Sequence, residues 1–216
     1  MTWTASGTII STTSSSLTVN PAATGNLVLA EVISLSATVY ATSISGGNCT
    51  WTQVGSRLTD SGETISAVLF AGKATSTGSA SASISWSGAT PGIIRIAGQQ
   101  FHSSAGAWAL DGSQGNLDNF GSNSNWPTLT PSSAGELYFG YVFNESSATA
   151  GATSGFTYQT DPDANGLGYA LSVSSAYTPV WGDTGENFGI CVLMQETGAT
   201  QKARIISQAV NRAATY

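Results

Sequence analysis

The sequence predicts an all-β protein, a jelly-roll-like β-sandwich with two pseudo-equivalent halves. Three observations carry this expectation. Two-residue alternation and short apolar runs recur along the 216 residues, while helical periodicity is almost absent. Clusters of Gly, Asn, Asp, Ser and Pro separate those runs at short intervals. Charged residues make up only 8% of the chain, against roughly 25% in an average soluble domain. Ser, Thr, Gly and Ala supply the polarity instead, and such short side chains suit strands and tight turns better than helix surfaces. A hydrophobic fraction of 41%, with six Trp, seven Tyr and seven Phe, is too high for a disordered chain.

Taken in order, Leu27–Ile33 is an apolar run broken only by Glu31 and reads as a strand. Ile65–Phe70 is a second, and Ser81–Trp86 alternates small polar with apolar residues as a half-buried strand does. Ile93–Phe101, Leu137–Phe143, Gly168–Val173 and Phe188–Met194 follow. The turns between them include Ser45-Gly46-Gly47-Asn48, Asp60-Ser61-Gly62 and Asp161-Pro162-Asp163-Ala164-Asn165-Gly166. The opening strand also echoes itself at an offset of 110: Pro21-x3-Gly25-x-Leu27 returns as Pro131-x3-Gly135-x-Leu137. Each copy is followed by a strand with an aromatic–Thr pair, Trp51-Thr52-Gln53-Val54 and Phe156-Thr157-Tyr158-Gln159. This predicts one domain over 17–199, with halves at about 17–101 and 129–195 bridged by 102–126. Residues 1–16 read as an N-terminal arm and 200–216 as a basic C-terminal segment.

The net charge is −6, and its placement says more than its size. All twelve acids and three bases lie before residue 200, whereas Lys202, Arg204 and Arg212 stand in the last segment without an acid. An acidic body does not suit a phosphate backbone, so no nucleic-acid partner is expected. The basic segment is expected to dock on an acidic neighbouring subunit, the alternative being a final strand whose outward face is basic. Cys49 and Cys191 have neither disulfide-framework nor metal-ligand spacing and read as buried free thiols. The first residues lack a basic region and an apolar core, and no apolar run approaches the roughly 18 residues of a membrane span. Synthesis in a cytoplasm, with no membrane partner, is the expectation.

Candidate chemistry is sparse. His102 is the only histidine, and no Gly-x-Ser-x-Gly elbow accompanies it. Glu31, Asp111, Asp118, Glu136 and Glu145 could serve glycoside hydrolysis, which needs two carboxylates, but none pair on one strand. No catalytic residue and no enzyme activity are therefore expected. Asp161, Asp163 and Asn165 match the opening of a calcium loop, with Gly166 at its sharp turn. Ser172 stands where an EF-hand has its bidentate Glu, which leaves an isolated calcium turn against an ordinary Asp-Pro/Asn-Gly turn, and the ordinary turn is preferred. Trp108 and Trp126, in the Gly/Ser/Asn-rich bridge, are candidate contacts for a glycan or a partner. The alternative is that they cap an open end of the sandwich.

The segments Pro21–Ala30, Cys49–Val54, Ala67–Ala74 and Ser81–Ser85 together resemble β-sandwich virion proteins of tailed bacteriophages, minor tail and capsid-decoration types, notably of actinobacterial phages. In that pattern a Pro-x3-Gly-Asp-Leu turn opens a strand, Thr-Trp-Thr follows, and the turn recurs. Asn26 and Glu136 stand here where the pattern has Asp. The resemblance implies a non-enzymatic virion component, attached to capsid or tail proteins and self-associating, as a trimer for example. A carbohydrate-binding module or host-adhesion domain, contacting a host surface glycan, is the alternative. The shared positions are turn and core positions, so the resemblance transfers no functional residue.

Overall fold

The computed structural model describes residues 2–7, 10–112, 114–119, 125–144, 151–180 and 187–197. Among these there is no helix. The first half runs β1 (Trp3–Ala5), β2 (Ile10–Thr12), β3 (Ser16–Val19), β4 (Leu27–Ser34), β5 (Ala41–Gly46), β6 (Cys49–Asp60), β7 (Ile65–Ala74), β8 (Ala80–Trp86) and β9 (Ile94–Ser103). The second runs β10 (Trp108–Leu110), β11 (Gly115–Asn119), β12 (Glu136–Asn144), β13 (Thr157–Thr160), β14 (Gly166–Val173) and β15 (Asn187–Glu196). The sheets are antiparallel and none closes into a barrel, so the protein is a β-sandwich.

Two six-stranded sheets follow one plan. The first has the order β1-β9-β4-β7-β6, with β2 also on β9; the second has β10-β15-β12-β14-β13, with β11 also on β15. Their registers agree. Trp3 faces Ser103 as Trp108 faces Glu196, and Ile10 faces Gly98 as Gly115 faces Cys191. Leu27 faces Phe101 as Leu137 faces Met194, and Thr52 faces Ala71 as Thr157 faces Tyr169. The glycines of the repeated Pro-x3-Gly turns share a left-handed backbone, Gly25 and Gly135 both at φ 86°. A side chain there would be strained, which is why the motif ends on Gly before each central strand.

The two sheets pack face to face. Because side chains alternate along a strand, Leu27, Leu29 and Ile33 of β4 enter this core with Leu69 and Phe101. Across from them stand Leu137, Phe139, Ile190 and Val192. Val28, Ala30 and Val32 point the other way, onto a three-stranded sheet β3-β8-β5 with Leu17, Val19, Ile44 and Ile84. Every residue of β4 is therefore buried, which accounts for its unbroken apolar run.

The outer face of the second sheet is covered differently. Residues 125–130, 151–156 and 174–180 lie over Tyr138, Val142, Ala170 and Leu193, where the first half has its third sheet. Among the described residues only isolated bridges form there, Asn125 with Val180 and Leu129 with Tyr177. Pro127 and Pro179 sit in these segments, and a proline has no N–H to give a ladder. Tyr158 instead donates its hydroxyl to the Val180 carbonyl at 2.6 Å.

Two boundaries differ from the sequence expectation. Residues 1–16 do not form an arm: β1, β2 and the start of β3 lie within them, and Trp3 is 3% exposed in the central core. Residues 102–126 do more than bridge the halves, since β10 and β11 complete the second sheet. Both thiols are free, as expected; Cys191 is buried and Cys49 half-buried. Burial pushes the Cys49 thiol up to about 11, so it is not a reactive thiolate at neutral pH.

Candidate functional site

The Asp161–Gly166 loop turns β13 into β14 and is held by its own donors. Asp161 Oδ1 accepts the amides of Asp163 and Asn165, both at 2.9 Å. Asp161 Oδ2 accepts the Tyr141 hydroxyl at 2.6 Å and the Asn165 side-chain amide at 2.9 Å. Asn165 presents its NH₂ to that carboxylate and its carbonyl to the Asn144 amide at 3.1 Å. Asp163 pairs with Arg95 at 3.3 Å. Both oxygens of Asp161, the side-chain carbonyl of Asn165 and Asp163 Oδ2 thus each meet a protein donor, as in a side-chain-capped turn. No group of three or more His, Cys, Asp or Glu gathers for a metal among the described residues.

Glu31, Asp111 and Glu136 are also structural in their surroundings, while Glu145 and the Asp118 side chain lie outside the described residues. Glu31 does not face solvent. It is fully buried between the two large sheets, where its Oε1 accepts the Ile190 amide of β15 at 2.8 Å. Burial holds its carboxyl well above the usual range, with the amides of Ile190 and Tyr141 pulling weakly the other way. Asp111 and Glu136 meet over Ser132, whose hydroxyl lies 2.6 Å from Asp111 Oδ1 and 3.4 Å from Glu136 Oε1. Burial raises both; for Asp111 the hydroxyl and amide of Ser132, at 2.6 and 2.7 Å, outweigh it and keep the carboxyl low. Glu136 is raised, by burial and then by Asp111. The matching positions of the first half carry the same tie in neutral form, with the Asn26 amide donating to the Ser6 hydroxyl at 3.0 Å. His102 is exposed, and its Nδ1 donates to Asn26 Oδ1 at 3.2 Å rather than meeting a serine.

The two tryptophans singled out by the sequence part company. Trp126 is not an exposed platform; it is 1% exposed and packed in the outer core of the second sheet. Its ring stacks on Tyr138 with centroids 6.4 Å apart and takes Phe156 edge-on at 5.3 Å. Gly140 makes the room, since a Cβ there would lie 2.7 Å from the indole.

Trp108 is half-buried at the start of β10, beside a cleft of about 390 Å³. Thr50, Thr52, Ala71 and Lys73 form its other side, from the β6–β7 edge of the first sheet. The Lys73 ammonium stands 6.0 Å from the centre of the indole ring. The volume falls within the roughly 300–1,000 Å³ of small-molecule sites. Its lining combines an aromatic face, two threonine hydroxyls and one cation. No sequence signal placed Thr50, Thr52, Ala71 or Lys73 with Trp108, because they belong to different sheets. Lys202, Arg204 and Arg212 lie outside the described residues. Comparison with family models, with curated proteins and with solved structures returns no match.

Proposed function

We propose that this protein is a non-enzymatic structural component of a tailed-phage virion, a capsid-decoration or minor tail protein that attaches at one end and presents the sandwich outward. The observation that carries this reading is the meeting of both described chain ends at one pole. Thr2 and Ser104 exchange hydrogen bonds, from the Thr2 amide to Ser104 Oγ at 3.1 Å and from the Ser104 amide to the Thr2 carbonyl at 3.3 Å. The Thr197 amide donates to the Ala107 carbonyl at 2.9 Å, three residues along the same loop. Lys202, Arg204 and Arg212 follow within a short stretch of chain and supply cations for an acidic neighbouring subunit. The virion-protein resemblance points the same way, as does the commitment of the buried carboxylates to turns and sheet contacts. Virion localisation, other virion proteins as partners and a homo-oligomer such as a trimer belong to this reading.

Light scattering on the full chain is expected to report a defined oligomer, and on a chain ending at Gly198 a monomer with unchanged melting. Monomers in both cases count against self-assembly through the basic segment.

A second reading, a carbohydrate-binding or host-adhesion domain, is favoured by the Trp108 cleft. An indole face beside hydroxyls and a cation is suited to a sugar ring, whose C–H face is apolar and whose rim is polar.

A further inference from the structure

The two halves of the protein treat the same place in the fold differently. In the second sheet, Tyr169 occupies the strand position that Ala71 occupies in the first, with Leu171 two residues on where Lys73 stands. Trp3, the counterpart of Trp108, packs with β14 in the central core at 3% exposure. Tyr169 is itself buried there, edge-on to Phe101 with centroids 5.3 Å apart. Around Trp108 the large tyrosine is replaced by a methyl group and the leucine by an ammonium, and a cleft opens between β6–β7 and β10. The cleft is therefore a departure from the plan of the fold, made by two side chains.

Of the three cations among the described residues, Lys73 is the one whose contact lies in the cleft itself, beside the Trp108 ring. Arg95 is paired with Asp163, and Arg57 lies on the Tyr40 ring at 3.7 Å. Lys73 is exposed at the cleft and has no acid partner among the described residues.

Resting on the glycan-binding reading, we infer that this cleft binds an acidic sugar, with its pyranose ring against Trp108, its hydroxyls at Thr50 and Thr52, and its carboxylate at Lys73. The indole supplies stacking area at little entropic cost. The ammonium supplies the charge-assisted bond that separates an acidic from a neutral sugar.

The test is calorimetric titration of the full chain with oligogalacturonate and with a neutral cello-oligosaccharide of equal length. Oligogalacturonate is expected to bind at least about tenfold more tightly, with affinity falling as salt is added. Lys73→Gln is expected to lose about tenfold for the acidic sugar and nothing for the neutral one. Trp108→Ala is expected to abolish both. Ala71→Tyr rebuilds the filled arrangement of the other half, so it is expected to melt like the parent and bind neither sugar, which separates loss of the site from loss of the fold. Equal binding of the two sugars, unchanged by Lys73→Gln, would overturn the acidic-sugar assignment and leave the glycan-binding reading standing. Binding of neither sugar, or binding that survives Ala71→Tyr, overturns the site itself.

Discussion

Trp126→Ala is expected to lower the stability of this protein by about 3–5 kcal/mol, the range for removing a large aromatic side chain from a core. The indole is 1% exposed and meets Tyr138, Phe156 and the Gly140 backbone, so its removal leaves a cavity that the two neighbouring rings must line without support. The neighbours cannot close the gap cheaply, because Tyr138 is pinned by a hydrogen bond from its hydroxyl to the Pro127 carbonyl at 3.0 Å. Against a total of roughly 5–15 kcal/mol, this is a large fraction. Urea unfolding monitored by circular dichroism measures it. A loss under about 1 kcal/mol would mean the indole is not a core residue and would return Trp126 to the list of surface contacts.

The second large effect concerns pH. Glu31 is buried between the sheets with its carboxyl raised well above 4.5, so the folded protein holds this proton more tightly than the unfolded chain does. Its contribution to stability is therefore full below the unfolded value and declines as pH rises through the folded one. The slope in that window is about 1.4 kcal/mol per pH unit. Glu31→Gln keeps the acceptor for the Ile190 amide and removes the ionisation. The variant is expected to match the parent near pH 4 and to exceed it increasingly on the way to alkaline pH. Unfolding midpoints of both chains across that range decide it: parallel profiles would show that Glu31 does not ionise at a cost. Glu136, also raised, contributes to the parent's profile, but the difference between the two chains cancels it.

Why a carboxylate stands in that core follows from its partner. The Ile190 amide meets Glu31 Oε1 at 2.8 Å, so one strand of the first sheet is tied to the backbone of the second across the apolar layer. The other oxygen, Oε2, has no hydrogen-bond partner among the described residues. A neutral acid tolerates that better than a charged one, in keeping with the raised carboxyl. Leucine would pack well at this place but would leave the Ile190 amide unsatisfied.

What the sequence by itself determined were the strands long enough to carry a period. β4, β7, β8, β9, β12, β14 and β15 announce themselves by alternation or by unbroken apolar runs, because side-chain direction along a strand is a local property. The Pro-x3-Gly-x-Leu turns were legible for a similar reason: a left-handed residue at Gly25 and Gly135 is a requirement of one turn, satisfied within a few residues. The short strands were not legible. β1, β2 and β10 are three residues each, too few to show a period, and they exist because β9 and β15 offer open edges to pair with. Tertiary structure also decided the roles of single residues. Nothing near Glu31 or Trp126 in the chain says that a second sheet covers one and a tyrosine cluster the other. The Trp108 cleft is the clearest case, since Trp108 and Lys73 are brought together only when two sheets pack, and the space between them depends on Ala71 standing where the other half has Tyr169. Periodicity reports which way a side chain points from its own strand; what it meets there is set by a surface contributed from far along the chain.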